Sequence, residues 1–150
     1  MVVPRACGGF LIVMLLLSAP VAAQQPVPAG HVKIATGAAY IVRQNAALPA
    51  KPGDAVFATD TLRTQANGTI GVTLADDTRI SLGPDSEMRL ERYVFAPADG
   101  ALGMVLNFVR GVAAYVSGRM AKLAPDSVRL ETPAAIVGVR GTTVAIKVGS

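Results

Sequence analysis

The chain has 150 residues, 51% of them hydrophobic, with a formal net charge of +4 and a single cysteine, Cys7. That length suits one domain, and so small a charge, with acids and bases interspersed, excludes the basic stripe of a nucleic-acid binder. A lone cysteine excludes a disulfide framework and thiolate zinc sites, so the fold must stand on core burial.

Arg5 is the only charge before the apolar run Phe10–Ala19, which is followed by Pro20, the small residues Val21-Ala22-Ala23, and Gln24. A charged start, a short apolar stretch and small residues at the end have the form of a cleavable signal peptide, here cut after Ala23. The run is too short for a retained membrane span, which needs roughly 20 apolar residues. Residues 1–23 are therefore expected to be the export signal and 24–30 a flexible lead-in with two prolines. Residues 31–150 are expected to form the folded domain, periplasmic or secreted. Removal of Arg5 lowers the net charge from +4 to +3.

From His31 onward the pattern is β almost throughout. Val32 and Ile34 alternate with Lys33, and Tyr40-Ile41-Val42 follows the break at Gly37. Leu48 to Asp54 has the Pro, Gly and Asp content of a loop. Ile70, Val72 and Leu74 share one face, as do Ile80 and Leu82. Pairing Val72 with Leu82 and Leu74 with Ile80 requires an odd-numbered connection, such as Asp76-Asp77-Thr78; failing that, the two runs would stack as neighbouring rungs. Met88 and Leu90 alternate with charged residues, then the apolar phase moves to Tyr93 and Phe95, which predicts a bulge after Arg92. Met104, Leu106 and Phe108 alternate until Gly111 interrupts, and Val112–Val116 resumes. Gly118–Ala124 is the one short helical candidate. Val128 and Leu130, then Val144, Ile146 and Val148, complete the series. About ten to twelve short strands separated by turn signals predict a single all-β domain, stacked or paired as a sandwich or a solenoid-like unit.

Catalytic chemistry finds little supply. His31, the only histidine, lies at the edge of the lead-in, away from any anchored nucleophile. Asp76, Asp77, Asp85 and Glu87 cluster in sequence, but aspartates at turns cap their own backbone, and their spacing matches no calcium loop. Gly138-Val139-Arg140-Gly141-Thr142-Thr143 could be an anion nest. It leads into a strand rather than a helix, which favours a strand-to-strand corner in which Arg140 bonds carbonyls or a turn acid such as Asp77 or Asp85. No catalytic, metal or cofactor site is expected.

The stretch "ETPAAIVGVRGTTVAIKV" resembles the closing signature of the FecR-type periplasmic domain: Thr-Pro, apolar residues, Gly-x-Arg-Gly-Thr, then a strand. "DTLRTQANGTIGVTLADDTRISLGPDSEMRLERYVF" is similar to the first half of that family, and "LNFVRGVAAYVSGR" to its middle. Together these cover about Gly53 to Val148. The resemblance implies an all-β domain outside the cytoplasmic membrane. The best-known members are sigma-factor regulators, in which such a domain receives a signal from an outer-membrane transporter. Those relatives carry a cytoplasmic segment and one membrane span, neither of which is expected in this chain.

The leading expectation is a non-enzymatic, exported β-module or signalling receiver that binds another envelope protein. Strand addition at Val32–Val42 or at Thr143–Val148 would supply the contact. The alternative is an envelope polysaccharide-binding module using the faces of Tyr40, Tyr93 and Tyr115.

Overall fold

The computed structural model describes residues 2–3, 19–21, 25–139 and 143–149. The export signal read over residues 1–23 lies for the most part outside them. The described residues form twelve strands, one short α-helix and two single 3-10 turns. The strands are β1 (Gly30–Thr36), β2 (Ala39–Arg43), β3 (Ala46–Pro49), β4 (Ala55–Val56), β5 (Thr61–Thr64), β6 (Thr69–Leu74), β7 (Arg79–Leu82), β8 (Glu87–Ala96), β9 (Ala101–Val116), β10 (Val128–Glu131), β11 (Ile136–Gly138) and β12 (Thr143–Val148). The helix α1 (Arg119–Leu123) falls within the one stretch whose sequence suggested it. The fold is all-β.

One strand organises the rest. The first part of β9 pairs with β8 on one side and β10 on the other, in the order β3-β2-β5-β8-β9-β10-β11. Its last part, beyond Gly111, pairs with β7 and β12, in the order β4-β1-β6-β7-β9-β12. Every pairing is antiparallel except β9 with β10. Ile70, Val72, Ile80 and Tyr115 from one layer and Leu62, Met88, Leu106 and Phe108 from the other belong to a single buried core.

Gly111 therefore does not interrupt a strand. At φ +89° it turns one continuous strand from the first layer into the second. A Cβ there would lie 2.2 Å from Ser86 Oγ, so only glycine fits. The bulge read near Arg92 is found at Glu91, the residue skipped between Leu90 and Arg92 in the pairing with β9. A side chain added in a strand reverses the face of all that follow it, which is what the phase shift in the sequence recorded.

The β6–β7 hairpin has an odd loop, but its register differs from the expected one. Val72 faces Ile80 and Ile70 faces Leu82. Leu74 N–H donates to the Thr78 carbonyl, so the loop is Ala75-Asp76-Asp77. Asp77 sits at φ +69°, the left-handed position that such three-residue loops use. Alternation alone fixes the face but permits registers two residues apart.

The packed unit also starts earlier than His31. Ala29 is buried, its N–H donates to the Val56 carbonyl and its own carbonyl accepts from Ala75 N–H. Gly30 passes so close to β6 that a Cβ would sit 2.4 Å from the Thr73 carbonyl oxygen. The early run is an edge only in part: β1 beyond Val32 is paired on its β6 side alone, but the second half is enclosed. β2 lies between β3 and β5, because Gln44 and Asn45, both at positive φ, make a two-residue turn that folds Ala46–Pro49 back as a strand.

Candidate functional site: an open strand edge

Among the described residues the buried polar ones are Asp60, Thr64, Asp76, Thr78 and Ser86; Thr78 bonds within its own turn, and each of the others ties a turn to another element. Asp60 accepts two bonds from the Arg43 guanidinium, at 2.9 and 2.6 Å, and one from Phe57 N–H at 2.8 Å. Thr64 Oγ1 donates to the Gly83 carbonyl at 2.6 Å and accepts from Ser86 N–H at 2.9 Å. Ser86 Oγ accepts from Val112 N–H at 2.9 Å, beside the Gly111 turn. These staples use the polar groups of "DTLRT", "ADDT" and "LGPDS" for architecture, because a buried polar group left unpaired is costly.

Asp76 is the most heavily bonded. Its carboxylate accepts from Thr78 N–H (3.3 Å), Thr78 Oγ1 (2.7 Å), Tyr93 hydroxyl (3.0 Å) and Met120 N–H (3.1 Å). Asp77 pairs outward with Arg119 at 3.3 Å, and that guanidinium also lies 4.9 Å above the Phe95 ring. Glu87 pairs with Arg63 at 2.8 Å and Arg110 at 3.8 Å. Asp85 occupies a left-handed turn position. The four acids therefore serve separate structural contacts rather than converging on one cleft. No group of three or more metal-ligating side chains occurs among the described residues.

His31 is exposed in β1, between Ala55 and Thr73. Of the three tyrosines, Tyr115 is wholly buried and Tyr93 spends its hydroxyl on Asp76. Burial, reinforced by the Asp76 charge, pushes the Tyr115 hydroxyl up to about 12 and raises Tyr93 as well. The Tyr115 ring is thus closed to a sugar, whereas the rings of Tyr40 and Tyr93 are half-buried.

The glycine-flanked arginine is only partly described. Arg140, Gly141 and Thr142 lie outside the described residues. Gly138 ends β11 opposite Arg129, and a Cβ on it would meet nothing within 4 Å. Close packing is thus not what requires glycine at that position.

Among the described residues β12 is the longest strand that the fold leaves open along its whole length. Val112 directs its N–H to Ser86 Oγ and its carbonyl to Gly83 N–H, both away from β12. Backbone direction alternates along a strand, so Ala114 and Val116 also turn toward β7, while Gly111, Ala113 and Tyr115 turn toward β12. Their partners Val148, Ile146 and Val144 complete those pairs. Thr143, Ala145 and Lys147 consequently aim their amides and carbonyls outward, where no strand follows among the described residues. The other strands that end a layer are shorter: β4 has two residues, β11 three, and β3 four with a terminal proline. Within the layers, β1 beyond Val32 and β8 beyond Leu90 are also paired on one side alone.

Beside this edge the outer face carries a shallow trough. Ile34 faces Gly71, Gly71 faces Ser81, Ser81 faces Ala114 and Ala114 faces Ala145, a row of small residues across four strands with Ile34 at its end. Its volume is about 420 Å³, and Ile34 and Val112 stand exposed along it. Sequence reading missed the row, because the residues that form it are dispersed over more than a hundred positions and meet only through the register.

A family model described as FecR protein matches residues 60–150. No curated protein and no solved structure matches the chain.

Proposed function

We infer that this chain, which belongs to the FecR protein family, is an exported, non-enzymatic domain that binds another protein by accepting a strand at β12. The family is one of signalling domains associated with the bacterial envelope. The carrying observation is the outward direction of the Thr143, Ala145 and Lys147 backbone groups, six residues of strand with one side paired and one side open. Two further facts favour recognition over catalysis: the buried polar side chains are engaged in turns, and the acids are spread over unrelated contacts.

Residues 1–23 are proposed as the export signal, cut after Ala23, with a short lead-in and a domain packed from Ala29 to the end of β12. No helix among the described residues is long and apolar enough to cross a membrane. The receiver would then act outside the cytoplasmic membrane, together with a partner chain that carries the signal further.

Ala145→Pro tests the edge. Proline removes an amide that faces away from β9, so the fold is expected to survive, as judged by circular dichroism and a cooperative melt. Envelope proteins captured by the wild type should be lost from the variant. Equal capture by both would dismiss β12 as the binding edge, and capture of glycan alone would favour the polysaccharide reading.

A further inference from the structure

We propose that a second copy of this chain occupies the β12 edge, giving a two-fold dimer centred on Ala145 in which the two β12 strands pair antiparallel. This rests on the reading of β12 as the binding edge and names its first occupant. The outward-facing residues Thr143, Ala145 and Lys147 are spaced two apart, so an antiparallel copy can pair only through them. That leaves few registers. Centring on Lys147 sets two ammonium groups face to face, and centring on Ile146 puts them at diagonal neighbours. Centring on Ala145 pairs each Thr143 with the other copy's Lys147, separates the two lysines by the length of the contact, and exchanges bonds through all three outward residues.

The same register suits the inner face. Val144 is half-buried and Ile146 is 8% exposed at the rim of the core. Across the two-fold axis Val144 of one copy lies against Ile146 of the other, so each closes the rim of its partner with apolar surface. On the outer face, Ala145 next to Ala145 presents no bulk, and the small-residue trough runs on into the second copy. One pair of six-residue strands is a small interface, so the dimer is expected to exchange with monomer rather than to be permanent. A partner strand would then have to displace the second copy.

The test uses the full chain with Cys7→Ser, so that any introduced cysteine is the only thiol. Ala145→Cys should crosslink to its own copy under mild oxidation, because directly paired residues lie about 5.5 Å apart, within disulfide reach. Thr143→Cys and Lys147→Cys alone should not, since each lies roughly 13 Å along the strand from its own copy at ~3.3 Å per residue. The double variant Thr143→Cys/Lys147→Cys should crosslink. Sedimentation should show a monomer–dimer exchange that Ala145→Pro abolishes while keeping its melt. Equal crosslinking at all three single positions would overturn the proposal, as would an Ala145→Cys chain that stays monomeric. If the wild type is monomeric and Ala145→Pro still loses envelope proteins, the edge reading stands and the second copy falls. If the dimer forms as described but capture is unaffected, the function at this edge is self-association alone.

Discussion

Asp76 and Tyr93 bond to each other twice: the Asp76 N–H donates to the Tyr93 hydroxyl at 3.0 Å, and that hydroxyl donates to the Asp76 carboxylate, also at 3.0 Å. The pair joins the β6–β7 loop to β8 just beyond its bulge, while Met120 N–H brings α1 to the same carboxylate. Removing the carboxylate takes the acceptor from four donors, three of them buried (Thr78 N–H, Thr78 Oγ1 and Met120 N–H), each worth about 1–3 kcal/mol. Asp76→Ala is therefore expected to lose about 4 kcal/mol of stability in urea unfolding. Asp76→Asn keeps the shape but turns an amide toward donors, and should lose about half as much. A wild-type midpoint for either variant would show that the network is ornamental.

Alkaline pH should unfold the domain through the same region. The Tyr115 hydroxyl is held up to about 12 by burial first and by the Asp76 charge second, against an unfolded value near 10. The unfolded chain thus releases its proton at lower pH than the folded one. The stability contributed by the protonated form is complete below the unfolded value and is lost as pH rises through the folded one. Tyr93 shifts in the same direction. Tyrosinate absorbance should therefore rise together with loss of circular dichroism over that alkaline range. Ionisation of all three tyrosines in a still-folded protein would contradict the burial argument.

Tyr115→Phe separates the hydroxyl from the ring. The hydroxyl is buried near Thr78 without a hydrogen bond of good geometry. Its removal is expected to change stability by less than about 1 kcal/mol and to shift alkaline unfolding to higher pH. Tyr115→Ala, which empties the space of a fully buried ring, should cost about 3–5 kcal/mol.

Two glycines in the left-handed region distinguish strain from collision. Gly100 has φ +68° and free space around it, whereas a Cβ on Gly111, at φ +89°, would lie 2.2 Å from Ser86 Oγ and 2.5 Å from Ser86 Cα. Gly100→Ala is expected to cost about 1 kcal/mol, from backbone conformation alone. Gly111→Ala should cost about 4 kcal/mol or more, because β9 can no longer turn between layers against the Ser86 staple. Similar melting temperatures for the two variants would refute the role given to that turn.

Arg43 and Asp60 form the remaining buried staple. Arg43→Met leaves a carboxylate whose side chain is 2% exposed with Phe57 N–H as its remaining side-chain partner. The guanidinium is itself partly open to solvent, so the expected loss is about 2 kcal/mol rather than the full cost of a severed interior pair. The double variant Arg43→Met/Asp60→Asn should recover part of it, since no charge is then stranded. A double-mutant cycle with no coupling would count against this pairing as a staple.

Several features were legible from residue order alone. Alternation assigned the faces of β6, β7, β10 and β12, the phase change near Arg92 announced the bulge at Glu91, and the odd parity of the β6–β7 loop followed from keeping apolar residues on one side. These are local consequences of a two-residue period, and the aspartates at turns were readable as caps for the same reason. The turn at Gln44-Asn45 and the start of packing at Ala29 escaped, because positive φ at those two residues and the close approach of Gly30 to β6 carry no composition signal.

Sequence by itself determined the fold class, the likeness to the FecR domain and which side of most strands meets the core. Tertiary structure alone decided that β9 belongs to both layers, that β2 is enclosed while β12 is open, and that Gly71, Ser81, Ala114 and Ala145 form one row. The physical reason is that alternation states which face a residue takes but not which strand lies beside it. Neighbours and register are set by closures between distant segments, and an edge exists only where those closures stop.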